Sequence, residues 1–200
     1  MSIQDDKRDL IINAALKRFS HFGIAKTSMS EVADDLKLSK ANLYYYFPDK
    51  FSLIEAIAYR IMDESDAAIE KAFREAHGTL DLLVRMLEMK KVYVERYYML
   101  ILDLQEMNIH DEKWEALAKR LFRREVSTTA RIFEQGIASN ELVTFDVAET
   151  SELYVAMMRG LALFCDRLSP HALIDKDEIG RIFEKQKQAA AIFINGLQKR

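Results

Sequence analysis

Apolar residues recur every three or four positions along almost the whole chain, which is the spacing of one face of an α-helix. Leu10, Ile11, Ala14, Ala15, Phe19 and Phe22 predict the inner stripe of a first helix. It begins near Asp5-Asp6, where acids suit the helix dipole, and stops at Gly23. Met29, Val32, Ala33 and Leu36 mark the buried face of a short second helix. Ser28 and Glu31 hold the spacing of a capping box, in which each side chain satisfies a free N–H at the helix start. Lys37-Leu38 breaks the pattern, and Ser39 can cap a third helix. Pro48 drives the residue before it out of helical dihedrals and ends that helix. From Asp49 a longer helix carries Phe51, Ile54, Ile57, Ile61, Ile69 and Phe73 to His77-Gly78. Its length would be roughly 40 Å at ~1.5 Å per residue.

The same period continues. Thr79 can cap a helix in which Leu80, Leu83, Leu87, Val94, Ile101 and Leu104 run on toward Ile109, with a turn at His110-Asp111. A helix from about Glu112 follows, and it should end near Asn140, a residue that tolerates the left-handed cap position. Asp146 and Glu149 repeat the capping spacing and open a helix to about Leu168, before Ser169-Pro170. Asp175 and Glu178 open the last one. No strand pattern, repeat or low-complexity segment interrupts the series, so the expected fold is all-α. Residues 1–50 form a head of three short helices, and residues 51–200 form a larger helical body.

Two short helices joined by a tight turn suit the helix-turn-helix, whose second helix enters the major groove of DNA. In the third helix Leu43 and Phe47 share the inward face, with Tyr46 near it, while Lys40, Ala41, Tyr44 and Tyr45 turn outward. Lys40 can meet a phosphate or a guanine edge, Asn42 a base edge, and the small Ala41 permits close backbone approach. Tyr44 and Tyr45 can reach phosphates with their hydroxyls or bases with their rings. Lys50 adds a separate argument. A cation in the first turn of a helix opposes the macrodipole, and a bound phosphate reverses the sign of that effect.

Composition changes the picture in three ways. A net charge of −3 excludes a general nucleic-acid coat but not a local reader. Residues 37–50 carry Lys37, Lys40 and Lys50 against Asp49 alone. Cys165 is the only cysteine, so no intrachain disulfide forms, and its helical neighbours predict an inert buried thiol. No apolar run approaches the ~18 residues that span a membrane, and the N-terminus has no apolar signal core. The expected compartment is the cytoplasm.

Residues 5–54 resemble the DNA-binding domain of the tetracycline-repressor (TetR) family of bacterial transcription regulators. The resemblance rests on Phe19 and Gly23, Thr27-Ser28, Val32-Ala33, the run Leu43-Tyr44-Tyr45-Tyr46-Phe47, then Lys50 and Leu53. It implies DNA contacts at Thr27, Ser28 and Lys50 on phosphate, at Ser30 on a base edge, and at Ser39, Lys40, Asn42, Tyr44 and Tyr45 on the recognition helix. Two departures stand out. Lys37 replaces a glycine usual in the turn, at a cost of about 1 kcal/mol if the position is left-handed. Ala41 replaces a frequent glycine on the reading helix.

The resemblance further implies a homodimer on a double-stranded, palindromic operator, built through the last two helices as a four-helix bundle. The candidate residues are Tyr154, Met157, Met158, Leu161, Phe183, Ala190, Phe193, Ile194 and Leu197. It also implies a repressor released by a small effector. Met86, Met89, Tyr93, Tyr97, Met99 and Met107 could line an apolar cavity for it, with the tyrosines supplying hydrogen bonds. The main alternative is a helical-bundle enzyme or metal carrier. A di-iron bundle needs paired Glu-x-x-His motifs, and no histidine here has a glutamate three residues before it. Nor is there a Gly-x-Gly-x-x-Gly, a phosphate loop or a Cys-x-x-Cys. The sequence therefore predicts no enzyme, no cofactor and no metal. A second alternative is a head that binds another protein, and steep salt dependence of DNA binding would set the two apart.

Overall fold

Polar breaks in the apolar pattern mark most of the helix ends of the structure. The computed structural model describes residues 3–97, 100, 111–167 and 176–199. Within them the chain forms α1 (Ile3–Phe22), α2 (Met29–Asp35), α3 (Lys40–Tyr46), α4 (Lys50–Glu75), α5 (Thr79–Arg96), α6 (Glu112–Ala138), α7 (Val147–Arg167) and α8 (Lys176–Leu197). No strand occurs among the described residues, and a single antiparallel bridge joins Leu142 to Gln198. The fold is all-α. The chain divides into two compact units, Met1–Ala67 with Arg96–Asn108 and Ala68–Glu95 with Ile109–Arg200, so the division falls inside α4.

In the first unit α1 packs on α2 and α2 on α3. Ile11, Ala15, Phe19, Ile24, Val32, Leu43, Phe47, Leu53, Ile54 and Ile57 are fully buried. Each of these side chains except the small Ala15 contributes about 1.5–3 kcal/mol. Two members of the expected α1 stripe lie elsewhere, since Leu10 and Phe22 are exposed and Ile12 takes a buried place. Both sit at the margin of the stripe, and the Arg18 guanidinium covers the Phe22 ring at 5.2 Å. Arg18 also donates to both oxygens of Asp35 at 2.8 Å and to Glu31 at 2.9 Å, tying α1 to α2.

The second unit packs α6 on α7 and α7 on α8. Phe133 is its aromatic centre, with the rings of Phe145, Tyr154 and Phe193 at 5.7, 5.8 and 6.2 Å. Glu125 on α6 accepts from Lys90 of α5 at 2.5 Å and from Arg159 of α7 at 2.8 Å. Burial raises the carboxyl pKa, but the two cations outweigh it and hold Glu125 below its ordinary value.

α6 ends in a Schellman motif, with the N–H of Glu141 on the Gly136 carbonyl at 2.9 Å and that of Asn140 on Ile137 at 3.0 Å. Asn140 has φ +63°, the left-handed cap its identity predicts. The start of α5 differs from expectation. Thr79 does not cap the helix with its own hydroxyl. The Glu141 carboxylate accepts from the Thr79 N–H at 2.8 Å and from its hydroxyl at 2.8 Å, a cap supplied from 62 residues away. α5 also stops at Arg96, with Tyr97 outside the helix, where the period runs on unbroken. No glycine or proline marks that stop. The readings at Ile101, Leu104, Ile109, Leu168, Pro170 and Asp175, and the surroundings of Cys165, lie outside the described residues.

Candidate nucleic-acid interface

The helix-turn-helix is held by local hydrogen bonds that its residue types dictate. At the start of α2 the Ser28 N–H donates to Glu31 at 2.7 Å, and the Glu31 N–H donates to the Ser28 hydroxyl at 3.3 Å. The bonds that the carboxylate accepts from the Ser28 N–H and hydroxyl, with the Arg18 pair, pull the Glu31 carboxyl down to about 2. At α3 the Asn42 N–H donates to the Ser39 hydroxyl at 3.2 Å. The turn between them is a second Schellman motif. The Leu38 N–H bonds the Ala33 carbonyl at 2.9 Å, and the Lys37 N–H bonds Asp34 at 3.0 Å. Lys37 is its left-handed residue, at φ +54°.

On α3, Leu43 and Phe47 are buried beneath the helix, and the Arg8 guanidinium sits 5.1 Å from the Phe47 ring centroid. Lys40 and Ala41 are exposed and Asn42 is half-buried. Tyr44 is 46% exposed and Tyr45 is 71% exposed, while Tyr46 is half-buried with its ring edge-on to Tyr45 at 5.2 Å. Two large aromatic rings held out beside a lysine are costly to leave in water, and they make a contact face of fixed geometry. Ser39 is exposed at the head of the same helix.

The remaining candidates sit differently. Ser28 is exposed, but its hydroxyl also donates to Glu31 at 2.8 Å, and Ser30 is half-buried. Thr27 is 2% exposed and its hydroxyl donates to the Gly23 carbonyl at 2.9 Å, so its side chain fixes the α1–α2 connection. Lys50 turns inward. Its ammonium donates to the Ile24 carbonyl and lies 6.0 Å from the Phe19 ring centroid. The α4 start is instead capped by Asp49, which accepts from the Ser52 N–H at 2.7 Å.

In the body, Met86, Met89 and Tyr93 are half-buried along α5, while Tyr97 is buried and belongs to the first unit. Met99 and Met107 lie outside the described residues. Of the candidate pairing residues, Tyr154, Met158, Phe183, Ala190 and Ile194 are buried within the single chain. Met157, Leu161, Phe193 and Leu197 are half-buried, and Phe193 stacks on Phe133. The apolar residues that α7 and α8 leave in solvent are others: Leu153 at 59% and Ile192 at 74% exposed, with Ala156 exposed alongside. An added Cβ at Gly160 or Gly196 would meet nothing within 4 Å. The period could have found this face, because 153, 156 and 160 match 192 and 196 in spacing, but it lies beside the richer buried stripe. Among the described residues no cluster of three metal-ligating side chains occurs.

Comparison with known proteins agrees with this geometry. Residues 11–57 match the family of bacterial regulatory proteins described as tetR. The chain resembles that family through this domain. The HTH-type transcriptional regulator RutR of Escherichia coli (strain K12) is 38% identical over 84 residues, covering 42% of this chain. The match spans only 39% of the length of RutR. The uncharacterized HTH-type transcriptional regulator YhgD of Bacillus subtilis (strain 168) is 26% identical over 184 residues, or 90% of this chain and 93% of YhgD. A crystal structure of a transcriptional regulator from Cytophaga hutchinsonii ATCC 33406 superposes with a TM-score of 0.85 at 26% identity, covering 96% of this chain and 99% of that one.

Proposed function

We propose that this chain is a cytoplasmic, dimeric transcriptional repressor that binds a palindromic DNA operator and is released by a small, largely apolar effector. The observation that carries the reading is the outer face of α3. Lys40, Ala41, Tyr44 and Tyr45 stand out from a helix whose other side is locked by Leu43 and Phe47. Ser39 and Asn42 add polar groups at its start, and Ser28 and Ser30 flank it on α2. Thr27 and Lys50 serve the reading by positioning. A phosphate contact by Lys50 would require its ammonium to leave the Ile24 carbonyl or to share its remaining protons. Met86, Met89 and Tyr93 in the second unit and Tyr97 in the first are the described candidates for effector contact, and such contact needs no chemical step. No described helix is long and apolar enough to cross a membrane.

Binding to operator duplex across a salt series tests the DNA reading. Lys40→Ala should weaken binding and lower the slope of log K against log salt by about one unit. Tyr45→Ala should weaken operator more than random duplex. Unchanged affinity in both variants would remove α3 from the interface. For the effector, coupling of this kind is typically worth about 1–3 kcal/mol, and reciprocity requires operator DNA to weaken effector binding by the same factor. Equal effector affinity with and without saturating operator would leave the body as a pairing unit alone.

A further inference from the structure

The first unit contains a cleft that the DNA-reading face does not use. Its volume is about 430 Å³, within the range of small-molecule sites. One wall is the face of α1 opposite the buried stripe, where Leu16, Lys17, Ser20 and His21 follow one another at helical spacing. The other wall is Arg96 with Tyr97. Among the described residues, the lining holds two permanent cations and a histidine but no aspartate or glutamate. Tyr97 is buried and supplies an aromatic wall, with the Arg96 guanidinium 5.9 Å from its ring centroid, and Leu16 supplies an aliphatic one. Asn13 offers a neutral amide at the rim.

We propose that this cleft binds a small organic anion, one acidic group carried on a flat apolar body. Lys17 and Arg96 meet the charge, His21 and Asn13 donate hydrogen bonds, and the apolar body lies between Leu16 and Tyr97. Cation pairs aimed at one oxyanion and an aromatic wall beside them are the usual means of holding such a ligand. Of the described effector candidates the cleft shares Tyr97, while Met86, Met89 and Tyr93 take no part in it. The proposal does not rest on DNA binding.

The probe is 8-anilinonaphthalene-1-sulfonate, an aromatic sulfonate whose emission rises in an apolar site. Its uncharged relative N-phenyl-1-naphthylamine serves as control. The unsubstituted protein should bind the sulfonate saturably, and Lys17→Glu should weaken that binding at least about tenfold. Lys26→Glu, an exposed lysine outside the cleft, should not. The neutral probe should be indifferent to both changes. In the unsubstituted protein, the imidazole proton resonances of His21 should shift in step with sulfonate occupancy. That measurement keeps the test open should Lys17→Glu fold poorly. Equal affinity in Lys17→Glu and Lys26→Glu, or His21 resonances that stay fixed at saturation, would overturn the proposal.

Discussion

Lys37 and Glu31 show how single residues set the reading head. Holding a lysine at φ +54° costs roughly 1–2 kcal/mol relative to right-handed backbone. A glycine there removes that strain but loses about 0.4–1 kcal/mol through the greater freedom of the unfolded chain. The strain is the larger quantity, so Lys37→Gly should stabilise the protein by roughly 0.5–1 kcal/mol. A higher urea midpoint at unchanged m-value would show it. Glu31 makes the opposite kind of contribution. Its carboxyl is held at about 2 in the fold by the Ser28 N–H and hydroxyl first and by Arg18 after them. A lowered folded pKa means stability that is present above the ordinary carboxylate range and lost as pH falls toward about 2. Glu31→Gln should therefore be less stable than the parent at neutral pH, and the gap should close on acidification. Urea midpoints at about pH 6 and about pH 3 give the comparison. A gap that stays constant would mean that Glu31 acts through shape and not charge.

At the scale of elements, what the sequence disclosed depended on whether the cause was local. The capping box at Ser28 and Glu31, the stop at Pro48 and the left-handed Asn140 are all fixed by neighbours within a few residues, and all were legible. The outward set on α3 was legible for the same reason, since a seven-residue helix leaves little choice of face once Leu43 and Phe47 are inward. Causes at long range were hidden. Nothing near Thr79 signals that Glu141 will cap α5, and nothing near Lys50 signals that the Ile24 carbonyl will hold its ammonium. The burial of Thr27 comes from the same loop. Gly136 is a further hidden constraint. A methyl group there would lie 2.3 Å from the Thr79 hydroxyl oxygen and 2.8 Å from Leu142 Cδ1. The helix would gain propensity from alanine, about 1 kcal/mol, but the clash is with the very residue whose position Glu141 fixes. Overpacking of this kind costs roughly 1–3 kcal/mol. Gly136→Ala should thus be destabilised despite its better helix propensity, with the loss read from the thermal midpoint. A rise in that midpoint would mean that α5 can back away from α6.

For the whole molecule, the proposed dimer raises the question of which surface a second copy would cover. Operator palindromy follows from a two-fold dimer, with reading heads spaced about one helical turn, near 34–36 Å, or a multiple of it. The residues first expected at the pairing face are divided by the structure. Tyr154, Met158, Phe183, Ala190 and Ile194 fill the chain's own core, and half-buried Phe193 stacks on Phe133 at its edge. Leu153 and Ile192 stand exposed on two adjacent helices, among small residues that would let another helix approach closely. Exposed apolar side chains on two packed helices are what half of a helical-bundle interface would present. Two kinds of substitution therefore have opposite consequences. Phe193→Ala should lower monomer stability, by less than the about 3–5 kcal/mol of a fully buried aromatic, because Phe193 is half-buried. The double change Leu153→Glu with Ile192→Glu should leave folding stability nearly unchanged but abolish pairing, because like charges would meet across the two-fold axis. Sedimentation should then report a monomer. Operator affinity should fall at least about a hundredfold, since the second half-site contact is no longer intramolecular. A stable dimer that retains full operator affinity after both substitutions would mean that the partner docks on another face of the body.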